Sequence, residues 1–427
     1  MKKLNTVLIV GLTFALAAGC DFLGSKGDSI TDEIFEEGRQ DPNLIVEEIG
    51  YAALVPFWDG FDRPTDVYVG FDELVYVTDA QGVHVMDTAG RISDTFPLRG
   101  AVSVTQDRLL NLYVAARYDT VITAIDPDIT WDLPAVYKIA NFNKAEPTIV
   151  VDVLKHPFRR FDNSRSNTTL ERFRLNRNSA NNDELVEITS VGVLHDNTLY
   201  ITRRGPANTG TTPFPDNTVL TFNHELEAGE RTGRMRNVGR IFLRPQEPTN
   251  FFSGVDISDI TTFIGPPQRD NVTTDRGFII TQGNAERDIP FRTLWINAVN
   301  TPDGIEYRPN STLLVQDTTR ADSFLYDQNK FKNPTGVAFS ADARSHIFVV
   351  DAETDSLYLF QSNGVEGVNP PAGSDLEKAV NVSFGGTGNG PREFNNPSGV
   401  AYFRQIVYVA DTGNNRIARY RLNIDFE

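Results

Sequence analysis

One cysteine, five histidines and a group of arginines are the residues best suited to chemistry in this chain. Cys20 stands alone, which excludes a disulfide framework and any zinc cluster built on several thiolates. His84, His156, His195, His224 and His346 are widely spaced and outline no evident metal centre. No Gly-x-Ser-x-Gly elbow is present to present a nucleophilic serine. The run Gly385 to Gly390 has the look of a phosphate cradle, but strand-type residues follow it where a helix would be needed. Arginine supplies 31 of the 40 basic residues, and guanidinium groups grip carboxylate, phosphate or sulfate with paired donors. The binding candidates are therefore Arg117, Arg203, Arg204, Arg287 and Arg292, with a further arginine-rich stretch over residues 157–187.

The composition narrows the function. Fifty-seven acidic residues against 40 basic ones give a net charge of −17, which opposes nucleic acid as a partner. Hydrophobic residues make up 40% of the chain, enough for a large core. An acidic chain favouring Arg over Lys suits either a salty habitat or an ordinary acidic surface.

The elements that must position these side chains come from a repeat. The stretch "FGGTGNGPREFNNPSGVAYFRQIVYVADTGNNRIARYRLN" near the end is echoed by "NPTGVAFSADARSHIFVVDAETDSLYLF" and by "RPTDVYVGFDELVYVTDAQGVHVMD". Fainter copies are "AVSVTQDRLLNLYVAARYD", "SVGVLHDNTLYITRRG" and "SGVDISDI…DRGFIITQG". Each is a pair of short alternating strands split by a polar turn. These units resemble the NHL repeat, which implies an all-β, six-bladed β-propeller. The second strands centre on Tyr76, Tyr113, Tyr200, Ile279, Phe348 and Tyr408, with spacings of 37, 87, 79, 69 and 60 residues. The unit is thus about 40 residues with insertions in the middle copies.

The last copy lacks an outer strand, and the apolar segment 44–49 is the expected partner that closes the ring. Three residues beyond each second-strand centre stand Asp79, Ala116, Arg203, Gln282, Asp351 and Asp411. The aspartates are expected to cap the following turn. The three copies that lost them carry insertions at 117–133, 203–216 and 282–292, which marks one sector of the ring for function. The insertion 259–276 falls on the opposite face.

The N-terminus addresses the chain. Lys2 and Lys3 precede an apolar run from Val7 to Ala18, too short for the ~20 residues that span a bilayer. "LAAGC" resembles the bacterial lipobox, which implies cleavage before Cys20 and attachment of lipid, palmitate included, to it. Residues 1–19 are then a signal peptide, 20–42 a polar tether and 43–427 the propeller. The expectation is a monomeric, lipid-anchored module of the cell envelope that binds an anionic partner, a protein or an acidic glycan, with no cofactor. Related propellers imply an alternative, a hydrolase or lyase holding calcium or another divalent metal at the channel mouth. Elemental analysis separates the two.

Overall fold

The computed structural model describes residues 49–122, 129–142, 149–156, 183–208, 215–245, 247, 250–266, 273–283, 288–370 and 374–423. The compact unit runs from Ile49 to Glu427. Cys20, Arg287, residues 44–48 and residues 157–182 of the arginine-rich 157–187 stretch lie outside the described residues. No described helix is long and apolar enough to cross a membrane.

Six antiparallel sheets of four strands each form the fold. Blade 1 is β2 (Asp66–Val69), β3 (Val75–Asp79), β4 (Gly82–Met86) and β5 (Ile92–Pro97), after the closing strand β1 (Gly50–Ala53). Blade 2 is β6 (Ser103–Gln106), β7 (Leu112–Ile122), β8 (Ile129–Ala140) and β9 (Ile149–Lys155). Blade 3 is β10 (Glu187–Val193), β11 (Leu199–Arg204), β12 (Thr218–Glu227) and β13 (Glu230–Ile241). Blade 4 is β14 (Ile257–Thr262), β15 (Phe278–Gln282), β16 (Thr293–Thr301) and β17 (Gly304–Pro309). Blade 5 is β18 (Pro334–Phe339), β19 (Ile347–Asp351), β20 (Ser356–Phe360) and the two-residue β21 (Phe384–Gly385). Blade 6 is β22 (Pro397–Phe403), β23 (Ile406–Asp411) and β24 (Arg416–Asn423). The innermost strands β2, β6, β10, β14, β18 and β22 touch in a closed ring around a central channel. The six-bladed reading of the sequence holds.

The six repeat centres all sit in second strands and are almost wholly buried, because these strands are sandwiched between neighbouring blades. Burial of a tyrosine there requires a partner for its hydroxyl. Tyr76 donates to Asp72 at 2.6 Å, Tyr113 to Asp107 at 2.9 Å and Tyr200 to the Arg276 carbonyl at 2.9 Å.

The ring closes through an N-terminal strand; its described residues are Gly50–Ala53, and residues 44–48 of the expected 44–49 lie outside the described residues. Gly50–Ala53 pair with β24, from Gly50 opposite Asn423 to Ala53 opposite Tyr420. The strand is seated by Tyr51, whose ring packs against Phe384 and Tyr420 at 5.1 and 6.1 Å. Leu54 and Trp58 extend the contact through main-chain bonds to Arg419 and Ile417. The outer strand of blade 6 therefore comes from the opposite end of the chain, which removes an open edge.

Candidate functional site

The repeat puts one short triplet at the start of every innermost strand. The six are Thr65-Asp66-Val67, Val102-Ser103-Val104, Thr189-Ser190-Val191, Ser258-Asp259-Ile260, Thr335-Gly336-Val337 and Ser398-Gly399-Val400. Their central residues form a belt inside the channel, with Asp66 and Asp259 in opposite blades.

Both glycines in the belt are required by close approach. A Cβ on Gly336 would lie 2.8 Å from the Ser398 carbonyl oxygen, and one on Gly399 would lie 2.8 Å from the Asp66 Cα. The other four residues make a hydrogen-bonded chain across blades 1 to 4. Ser103 bonds to Asp66. Its Oγ also lies 3.3 Å from that of Ser190, which donates to Asp259 Oδ1 at 2.5 Å. Asp66 and Asp259 further accept main-chain N–H groups of the next blades, from Val104 at 3.0 Å and Val337 at 2.8 Å. Burial in the channel wall raises both carboxyls well above the usual carboxylate range, and the neighbouring Asp259 charge adds to the rise at Asp66.

The first residues of the triplets staple blade to blade. Thr65 Oγ1 donates to the Ala101 carbonyl at 3.1 Å, Thr335 Oγ1 to Pro397 at 2.7 Å and Ser398 Oγ to Pro64 at 3.1 Å. Above the belt these residues open into a mouth of about 420 Å³, lined from all six blades. Below it the channel narrows to about 80 Å³ between apolar side chains and Tyr68, Phe339 and Tyr402. Asp66, Ser103 and Asp259 line both spaces, so the belt is the floor of the mouth.

The rim brings in two of the candidate arginines. Arg117 and Arg204 line the mouth with Glu187 and Asn333. Arg117 donates from Nε to Asp132 at 3.0 Å and from Nη2 to the Asp132 carbonyl at 2.8 Å. Asp132 also receives Arg99 at 2.8 Å; burial would raise its carboxyl, yet these guanidinium groups hold it below its usual range. Arg204 pairs through Nε with Glu187. The positive charge of both rim arginines is thus locally balanced, and what they offer a ligand is their remaining N–H donors.

The other candidates sit elsewhere. Arg203 is 2% exposed and points into blade 3, where it donates to the Asp216 carbonyl at 3.2 Å and lies 3.8 Å from its carboxylate. It cannot face a ligand, because alternate residues of β11 point to opposite sides of the sheet. Arg292 is 9% exposed, and burial lowers its pKa against the pull of Asp351, Glu353 and Asp288. The two belong to the body of the blades, and the five arginines do not form one patch among the described residues.

Asp79, Asp351 and Asp411 are wholly buried and do more than hold a turn. Asp79 accepts Gln81 N–H at 2.8 Å, and reaches back to Asp62 N–H at 2.9 Å. Asp351 takes Glu353 at 3.0 Å and Lys332 at 2.7 Å, and Asp411 takes Asn395 at 2.8 Å. Each therefore ties the loop entering its blade to the turn after the second strand. In blade 4 Gln282 does the same, accepting Val255 N–H at 2.6 Å and donating to the Phe291 carbonyl at 2.8 Å.

The histidines are separate structural pairs. His84 sits 2.9 Å from Asp79, His156 2.7 Å from Asp183 and His224 3.7 Å from Asp107. Ser340, Asp342 and His346 cluster on the opposite face, but no relay links them. Ser340 Oγ donates to Asp342 at 2.9 Å and accepts the His346 main-chain N–H at 2.7 Å. Among the described residues no three His, Cys, Asp or Glu side chains are placed to hold a metal ion. Each oxygen of the two belt carboxylates already accepts a protein hydrogen. The lone pairs left over supply too few charged donors for the ~6–8 oxygen ligands of a resident calcium, so this donor set does not suit one.

Residues 394–420, most of blade 6, match the NHL repeat family. No curated protein matches the chain. Among solved structures it resembles a gluconolactonase from Xanthomonas campestris, at 9% identity and a TM-score of 0.46, covering 89% of this chain and 92% of that one. A protein of unknown function from Bacteroides thetaiotaomicron aligns at 14% identity and a TM-score of 0.40, over 88% and 72% of the two chains. Virginiamycin B lyase from Staphylococcus aureus aligns at 10% identity and a TM-score of 0.39, over 88% and 100%.

Proposed function

We infer that this NHL-like six-bladed propeller is a binding module of the bacterial cell envelope, lipid-anchored at Cys20, whose channel mouth receives the acidic sugar residues of a glycan. One observation carries the reading. The mouth, about 420 Å³, is lined from all six blades with donors at its rim and acceptors at its floor. That volume lies within the ~300–1,000 Å³ of small-molecule sites. Arg117, Arg204 and Asn333 offer N–H groups to a carboxylate at the outer end. Asp66 and Asp259 offer lone pairs to hydroxyls at the inner end.

The anchor rests on sequence: the only cysteine follows a short apolar run, two lysines and the small residues Ala18 and Gly19. The belt residues hold neighbouring blades together.

Calorimetric titration with digalacturonate tests the reading. Binding to the native protein should weaken about tenfold, or ~1.4 kcal/mol, on Arg204→Gln. It should vanish on Ser258→Tyr, which fills the mouth. Equal affinity for all three proteins overturns the assignment.

A further inference from the structure

The outermost strand of blade 3 is unlike its counterparts. β13 runs for 12 residues, from Glu230 to Ile241, and pairs only with β12 among the described residues. Its sequence, "ERTGRMRNVGRI", carries four arginines in a chain of net charge −17. Arg231, Arg234 and Arg236 are exposed, and the side chains of Arg234 and Arg236 form no ion pair among the described residues. Arg108, Arg320, Arg392 and Arg421 are likewise exposed with no ion pair among the described residues, but they lie on separate elements, whereas other surface arginines are paired. Arg91, Arg99, Arg276, Arg308 and Arg404 each have a carboxylate partner within 3.0 Å or less.

An open strand edge offers a row of unpaired N–H and C=O groups, which a second extended chain can take up. Charged side chains on an edge usually prevent that. Here they prevent it selectively. A second copy of this strand would bring arginine against arginine, whereas an acidic strand would bring carboxylates to the same guanidinium groups. Beyond the arginines, Val238 is 48% exposed and Phe242 is 41% exposed, which gives the edge an apolar end. Lys138 Nζ of blade 2 donates to the Gly233 carbonyl at 3.0 Å, which ties the strand to blade 2 at that point.

We propose that β13 is a docking edge for an extended acidic polypeptide segment, which adds to blade 3 as a fifth strand with carboxylates beside Arg234 and Arg236. The register of β13 shifts between Arg231 and Met235, around Gly233 with φ +84°, and again between Asn237 and Gly239. The added strand would therefore pair along residues 235–237, with one carboxylate beside Arg236 and another reaching Arg234 at the bulge. This edge is independent of the channel mouth, and neither reading depends on the other.

The test uses the full chain and a synthetic peptide of alternating Glu and Val, with the same peptide N-methylated at alternate amides as a second probe. The plain peptide should bind, more weakly as salt rises, and slow hydrogen exchange of the β13 amides. Arg234→Glu with Arg236→Glu should lower affinity at least tenfold, while Arg91→Glu in blade 1 should not. N-methylation should also abolish binding, because it removes the main-chain bonds of an added strand. Equal binding of plain and N-methylated peptides, or of polygalacturonate at this edge, would show charge attraction alone and overturn the proposal. So would an unchanged affinity in the double variant.

Discussion

Asp66 and Asp259 occupy the same position in opposite blades, and each accepts a main-chain N–H from the next blade, Val104 at 3.0 Å and Val337 at 2.8 Å. One carboxylate thus links blades 1 and 2, the other blades 4 and 5, and two serines join them through the channel wall. The belt is both the floor of the mouth and a fastening of the ring.

That fastening should be pH-sensitive. Both carboxyls titrate above their usual range because burial disfavours the charged forms, so the folded state retains protons that the unfolded chain releases. Stability contributed by them is present below about pH 4 and is lost as pH rises through the raised values. Melting temperatures of native protein and Asp66→Asn, compared from about pH 4 to about pH 8, should show a steeper fall in the native protein. Parallel profiles would mean that the belt carboxylates ionise as in water.

Ring closure depends on a strand of four residues. Tyr51 is 3% exposed between Phe384 and Tyr420, and Tyr51→Ala should cost about 3 kcal/mol by the usual scale for large aromatic truncation. A chain beginning after Ala53 should melt earlier and aggregate through the uncovered β24, whereas one beginning at Ile49 should not. Denaturation of both truncations by urea checks this.

Two adjacent arginines should behave oppositely. Arg203 is buried beside Asp216, and Arg203→Ala leaves that carboxylate without its counter-charge, at a cost of about 3 kcal/mol. Arg204 is part-exposed with Glu187, and Arg204→Gln should change stability by less than about 1 kcal/mol. Chemical denaturation of the pair of variants separates the structural residue from the rim residue.

Much of the architecture was legible because the repeat is periodic in the residues that must be buried. Tyr76, Tyr113, Tyr200, Ile279, Phe348 and Tyr408 mark second strands correctly, since each of these positions is buried between two blades. The described part of the closing strand, Gly50–Ala53, follows directly on the apolar segment 44–49, whose residues 44–48 lie outside the described residues, and its packing rests on the ring of Tyr51. The arginine sector was legible only in part. Composition located Arg117 and Arg204, but it could not show that Arg203 turns inward or that Asp132 and Glu187 already hold the rim. The belt itself was in view, one residue before the Val or Ile of each first strand. Its meaning was hidden because convergence of Asp66 and Asp259, nearly 200 residues apart, is a property of the closed ring and not of spacing.

Export and anchoring are tested separately. Cys20→Ser should release the protein from membranes or leave it unprocessed, and should abolish incorporation of labelled palmitate. Labelling that survives the substitution would remove the anchor from the account.

The central claim, that the mouth is a binding site, is tested most directly by a crystal structure of the full propeller with digalacturonate. A sugar residue is expected above the belt, its carboxylate within about 3 Å of Arg117 or Arg204 and its hydroxyls directed to Asp66 and Asp259. A ligand found elsewhere on the surface, or a mouth still empty at saturating concentration, would contradict it.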